Sequence, residues 1–208
     1  MASILRKNFS MANSARHNKL TSRISFIESK LLPPIKLSGN YSKKESDLIR
    51  SYVLLVHAEI ESYFEDIASE IVTRSLQAWI ISRKRSTCLL SIMTFCGEDI
   101  KWENRNDKNK IETRIRITTG HYINLLKSNH GVKSKNILNI LLPIGIEESS
   151  LDQTWLTIMD DFGKKRGSFA HSSHIVQAQI DLKTEKDRIN LHILPEIKSL
   201  DLLIKKIR

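Results

Sequence analysis

The sequence predicts an all-α fold, an antiparallel bundle of about four to five helices. Apolar residues recur at three- and four-residue steps along most of the chain, the spacing that gathers them on one face of a helix. Glycine (7) and proline (4) are scarce among 208 residues, which disfavours a turn-rich β-sandwich. Strand-like alternation is confined to brief pieces such as Ile175 to Leu182, expected to be extended.

Residues 1–15 are polar and basic. Leu20, Ile24, Ile27 and Leu31 then mark a helix from about Ala15 to Leu32, stopped by Pro33-Pro34. Ser42 and Glu45 have the spacing of a capping box. The helix they open is the strongest in the chain. Val53, Val56, Ile60, Tyr63, Phe64, Ile67 and Ile71 form its apolar stripe, and it reaches Ile81 before the basic run Arg83-Lys84-Arg85. Leu55, Glu59, Ser62 and Asp66 lie on its flank. Cys88 to Phe95 reads as a short buried helix, and Gly97 to Lys110 as a charged loop. Ile111, Ile115, Thr118, Tyr122, Leu125 and Leu126 mark the next helix, closed near Gly131. A short apolar piece runs from Ile137 to Leu142. Ser149 or Ser150 is expected to cap a helix carrying Leu151, Trp155, Ile158, Met159 and Phe162, which Gly163 ends. Ile197, Leu200, Leu203, Ile204 and Ile207 define a C-terminal helix after Pro195. The expected organisation is a basic N-terminal arm and helix over 1–41, then a helical domain over 42–208.

Charge and cysteine content narrow the functional classes. Lys and Arg number 33 against 23 acids, a formal charge of +10, which attracts a polyanion such as nucleic acid. Cys88 and Cys96 are isolated, with no CxxC pairing and no clustered His. They are expected to be buried free thiols, and no zinc site, metal or cofactor is expected. There is no signal-peptide pattern at the N-terminus and no stretch of roughly 20 apolar residues to span a bilayer. The expected location is cytoplasmic, away from membranes.

Phosphate loops, dinucleotide fingerprints, HExxH and nucleophile elbows are absent. What remains is Arg166, four residues, then His171. Spacing alone does not single this pair out, because Arg116 precedes His121 by the same interval. Arg116 and His121 fall in a helical run, about 140° apart around its axis, and do not converge. Arg166 to His171 instead follows a helix directly and contains Gly167 with the small residues Ser168 and Ala170. The plain alternative is a basic helix end, Lys164, Lys165 and Arg166 complementing the helix dipole.

The run Asp161-Phe162-Gly163-Lys164-Lys165-Arg166-Gly167-Ser168-Phe169-Ala170-His171 resembles the signature of HEPN domains, in particular the RiboL-PSP-HEPN branch. The central-helix run from Leu54 to Asp66, with Ala58, Glu59, Glu61, Ser62 and Tyr63, is similar to a second stretch of that family. The resemblance covers about residues 42–208. Gly167 stands where many HEPN nucleases carry Asn, Asp or His, and Ser173 stands where the adenylylating variant has Tyr.

The resemblance implies a HEPN-like bundle and a metal-independent endoribonuclease, of the kind found among toxins and phage-defence effectors. Arg166 and His171 would be catalytic, with Glu59 or Ser62 orienting them. Lys164, Lys165, Arg83, Lys84 and Arg85 would hold RNA by its phosphates. It further implies a homodimer with two Arg/His pairs in one cleft, and an antitoxin or other regulatory protein as partner. The competing class is a non-catalytic helical module that binds nucleic acid or a protein through the same basic surface.

Overall fold

The computed structural model describes residues 13–104, 109–171 and 180–207, for 104 and 168–171 the backbone only. No strand occurs among them. The longer helices are α1 (Ala15–Leu31), α2 (Lys43–Ser82), α4 (Ile111–Ser128), α6 (Gln153–His171) and α8 (Leu194–Ile204). Between them lie the shorter α3 (Thr87–Cys96), α5 (Ser134–Leu141) and α7 (Leu182–Asp187), with a π-helical segment over Arg188–Ile193.

Helix α2 is the axis of the bundle. Its capping box is in place: the Ser42 hydroxyl accepts from the Glu45 amide and the Glu45 carboxylate from the Ser42 amide. Every residue of the expected stripe, from Val53 to Ile71, is buried. The ion pairs on α1 fix its direction. Arg16 engages Asp66 and Glu70, Arg23 engages Glu59, and Lys36 beyond the helix engages Glu45. The partner number falls as the chain advances, so α1 runs antiparallel to α2. Ring contacts set α6 the same way: Trp155 meets Phe64, and Phe162 stacks on His57 at 5.6 Å. Leu20, Ile24 and Ile27 of α1 share the main core with α2, α6 and α8. Helix α1 therefore packs into the same core as the helices that follow residue 42.

Four local expectations are corrected. Asp152, not Ser149 or Ser150, caps α6, accepting from the Trp155 amide at 2.7 Å; the two serines lie in a 3-10 turn over Glu148–Ser150. Gly163 does not stop α6, which continues to His171. A glycine inside a helix costs only about 1 kcal/mol, and here its bareness is used, since a Cβ would stand 2.6 Å from Lys133 Cγ. Helical structure also precedes Pro195 through α7 and the π segment, which relieves the turn that the proline ring would otherwise crowd. In α4 and α3, Ile111, Leu125 and Phe95 are exposed rather than buried. The segment expected to be extended, residues 175–182, lies mostly outside the described residues, and its last residue opens α7. Cys88 and Cys96 are buried free thiols, each pushed up to about 11 chiefly by desolvation.

His17 is buried on α1 with neither ring nitrogen hydrogen-bonded among the described residues. Burial lowers its pKa, which Asp201 opposes and Lys198 and Lys205 assist from α8. The unfolded chain therefore takes up a proton at this position before the folded one does. The stability that depends on neutral His17 is intact above about pH 6.5 and falls as pH drops through that value. His17→Leu is expected to flatten the loss of melting temperature between pH 7 and pH 5. A slope identical to wild type would sink the assignment.

Candidate functional site

Arg166 lies on the penultimate described turn of α6 and is exposed. Its immediate setting comes from α2. Because α6 runs antiparallel to α2, Phe162 is brought over His57, and Arg166, one turn on, lies close enough for its charge to act on that ring. His57 is 1% exposed. Its pKa is pushed down to about 4, first by desolvation and also by the Arg166 charge, while Glu61 opposes the shift. The ring is neutral at physiological pH, as befits a buried imidazole packed against Phe162.

His57 Nδ1 faces Glu61 Oε2 at 3.6 Å. Glu61 in turn reaches the connection between α4 and α5: its Oε1 accepts from the Gly131 amide at 2.5 Å and lies 3.9 Å from His130 Nδ1. Gly131 has φ +107°, a backbone conformation that residues with a Cβ rarely adopt, so glycine is what aims this amide at the carboxylate. Glu65 stands one turn further along α2, its pKa raised first by burial and then by Glu61.

His171 is the last described residue of α6, and only its backbone is described. Arg166 and His171 thus occupy backbone positions five residues apart on one helix, about 140° apart around its axis. That is the separation which disqualifies Arg116 and His121 as a pair.

The other expected site residues are dispersed. Glu59 is held by Arg23 at 3.0 Å on the α1 side of α2, and Ser62 is exposed. Two positions along a helix turn a side chain by about 200°, so Glu59 points away from the face that carries His57. Lys165 is bound to Glu185 of α7, which is buried and also held by Arg188 at 3.2 Å. It ties α6 to α7 and is not a spare phosphate ligand. Lys164 is exposed and pairs with Asp161 at 3.1 Å.

Arg83 ends α2 in a left-handed conformation, paired with Glu112 at 2.7 Å and lying over Trp79. At about 1.5 Å per residue, α2 extends roughly 38 Å from His57 to Ser82. Lys84 and Arg85 follow that far end and line separate hollows, Lys84 beside Arg74 and Lys205, Arg85 beside Trp79 and Leu89. In one protomer, none of the three joins Arg166 in a single site.

These placements separate the two lysines. Lys165→Ala is expected to lower the melting temperature by about 2–4 °C, the equivalent of about 1 kcal/mol for a chain of this size, because Arg188 still partners Glu185. Lys164→Ala is expected to leave the melting temperature within about 1 °C, as for other exposed pairs. Thermal melts of both variants check the assignment, and equal melts would remove it.

The RiboL-PSP-HEPN family model matches residues 15–205. No curated protein and no solved structure matches the chain. The matched span starts at α1, as the shared core does. No helix of the described residues is long and apolar enough to cross a membrane.

Proposed function

Because this chain belongs to the RiboL-PSP-HEPN family, we propose that it is a metal-independent endoribonuclease in which Arg166 and His171 carry the reaction. The observation behind the reading is the Arg166-x4-His171 pair on the last turns of α6, with the Arg exposed, inside a chain that matches the family almost throughout. A formal charge of +10 supports RNA as the polyanion.

In this reaction the RNA 2′-hydroxyl attacks its own adjacent phosphorus and the bond from phosphorus to the 5′-oxygen breaks. One proton must leave the 2′-oxygen and one must reach the departing 5′-oxygen. A histidine near its reference pKa of about 6.5 serves either task. One His171 ring that takes the first proton and then delivers one to the departing oxygen would serve both and end as it began. Arg166, always cationic and fork-shaped, would hold the phosphate oxygens as negative charge grows. The backbone positions of Arg166 and His171, about 140° apart around one helix, favour a pair completed by a second copy: the Arg of one protomer with the His of its partner. An isologous interface generates two such pairs together. We place the protein among toxin or phage-defence effectors of the cytoplasm, with a regulatory or neutralising protein as a second partner.

The separation of about 140° along α6, together with Gly167 in place of a polar residue, favours one other reading: a non-catalytic helical module that binds RNA or a protein. Incubating purified protein with total RNA in EDTA separates the two. Cleavage leaving 2′,3′-cyclic or 3′-phosphate and 5′-hydroxyl ends is expected. Binding without cleavage, in the presence of any protein partner that co-purifies, would favour the module.

A further inference from the structure

We propose that the end of α2 remote from Arg166 is a docking surface for a second protein, which binds there through an acidic amphipathic helix. Its apolar side chains lie over α3 and its carboxylates meet Arg85, Lys84 and Arg74. Two hollows adjoin at this end and share Ser86. The first, of about 540 Å³, is lined chiefly by Trp79, Leu89, Leu90, Met93 and Ile115, with Arg85 among them. The second, of about 330 Å³, takes in Arg74 and Lys84 beside Ala78 and Ile207. An apolar hollow and a cationic one thus stand side by side.

The composition of α3 calls for a cover. Its ten residues, Thr87–Cys96, include no charge, and apolar groups occur all round the helix. Cys88, Leu89, Ile92 and Cys96 are taken up by the core. Leu90 is left 70% exposed, and Ile111, one turn before Ile115 on α4, is 67% exposed. A helix that is apolar all round is ordinarily buried all round. Large aliphatic groups left together at a surface mark a place where something binds. Because the surface is hollowed, a partner fills it with protruding side chains, as an amphipathic helix does when it lies in a groove.

The charges say which kind of partner. Glu112 at the start of α4 is already shared between Arg83 at 2.7 Å and Arg116 at 3.0 Å. Arg74, Lys84 and Arg85 make no ion pair among the described residues. A partner that brings carboxylates supplies what these three lack, and opposite charges at a rim steer a partner and set its register. RNA fits less well, because single strands are held by stacking bases on flat rings. Trp79 is the one ring of the apolar hollow, and Arg83 already lies over it at 5.6 Å. A lipid surface admits side chains that stand out along one face, whereas Leu89 and Ile115 are recessed, at 5% and 8% exposure.

Roughly 38 Å of α2 separates this surface from His57. The occupant therefore docks apart from Arg166, and the inference does not rest on the cleavage reading.

The test pans the full chain against displayed helical peptides of about four turns. Leucine recurs at every third or fourth position, and the flanking positions vary among Glu, Gln and Lys. Enrichment of Glu at the flanks is expected, with one peptide bound per chain and an affinity that falls as salt rises. Leu90→Asp and Arg85→Glu are each expected to weaken the selected peptide by about 10-fold or more. Both side chains are exposed, so the circular dichroism and melting curves of the variants should match wild type. Exchanging the flanking Glu of the peptide for Lys is expected to restore affinity for Arg85→Glu and abolish it for wild type. No enriched peptide, enrichment without a bias toward Glu, or binding unchanged in both variants would overturn the proposal. RNA or anionic phospholipid vesicles that bind wild type and neither variant, with no peptide bound, would assign the surface to that partner and overturn it too.

Discussion

Replacement of His171 by alanine is expected to lower RNA cleavage by about 10²–10⁴-fold, the usual contribution of positioned proton transfer. Arg166→Ala is expected to lose a comparable factor, and Arg166→Lys most of it, because an ammonium keeps the charge but not the two-pronged grip on phosphate. Arg166 is exposed, so its substitution costs the fold little. Circular dichroism and melting curves of each variant check that.

The decisive form of this experiment mixes the two single variants. When each site takes Arg166 from one protomer and His171 from the other, a mixed dimer of Arg166→Ala and His171→Ala chains holds one doubly broken site and one intact site. With random assortment, half the dimers are mixed, and recovery of roughly a quarter of wild-type cleavage is expected. If both residues of a pair come from one chain, every site in the mixture stays broken and nothing is recovered. Cleavage undiminished in His171→Ala alone would remove the motif from the mechanism.

The largest expected effect on stability lies where α8 meets α1 and α2. Asp201 of α8 is fully buried and accepts from the Ser14 amide at 2.7 Å, the Ser14 hydroxyl, and the Tyr63 hydroxyl at 3.0 Å. It ties the entry of α1 and the middle of α2 to α8. Asp201→Ala strands the Tyr63 hydroxyl and the Ser14 amide, at about 1–3 kcal/mol for each unpaired buried group. A net loss of about 3 kcal/mol is expected, or about 6–12 °C in melting temperature for a chain of this length. Asp201→Asn keeps acceptor capacity on one side but turns an N–H toward a donor on the other, so an intermediate loss is expected. A melt of Asp201→Ala within 2 °C of wild type would show that this carboxylate does not hold the three helices.

Asp201 also marks where reading from sequence fails. Leu200, Leu203 and Ile204 announce a helix face, but an acid between them reads as solvent-facing. Only the arrival of Ser14 and Tyr63, 187 and 138 positions away in the chain, makes its burial tolerable. The central helix was legible for the opposite reason. Its capping box and apolar stripe are local patterns, and local hydrogen bonding and helical periodicity realise them without help from distant residues. The far end of α6 was misread because Gly163 signals a stop only when nothing packs against it. Here Lys133 fills the space over the bare backbone, and Lys165 anchors the next turn to buried Glu185.

By itself the sequence determined the helical class, the position and bounds of α2, the burial of its stripe and of both thiols, and the motif by which the family is recognised. Each follows from residue spacing along the chain. The tertiary structure decided which charges tie one element to another: Lys165 and Arg83 do so, while Lys164 and Arg166 are exposed on α6. It also decided what gathers beside Glu61. His130 lies 69 positions from Glu61, and only the packing of the α4–α5 connection on α2 brings the two within 3.9 Å. Ion pairing and hydrogen bonding fall off over a few ångströms in space, and distance along the chain does not fix distance in space until the core has closed.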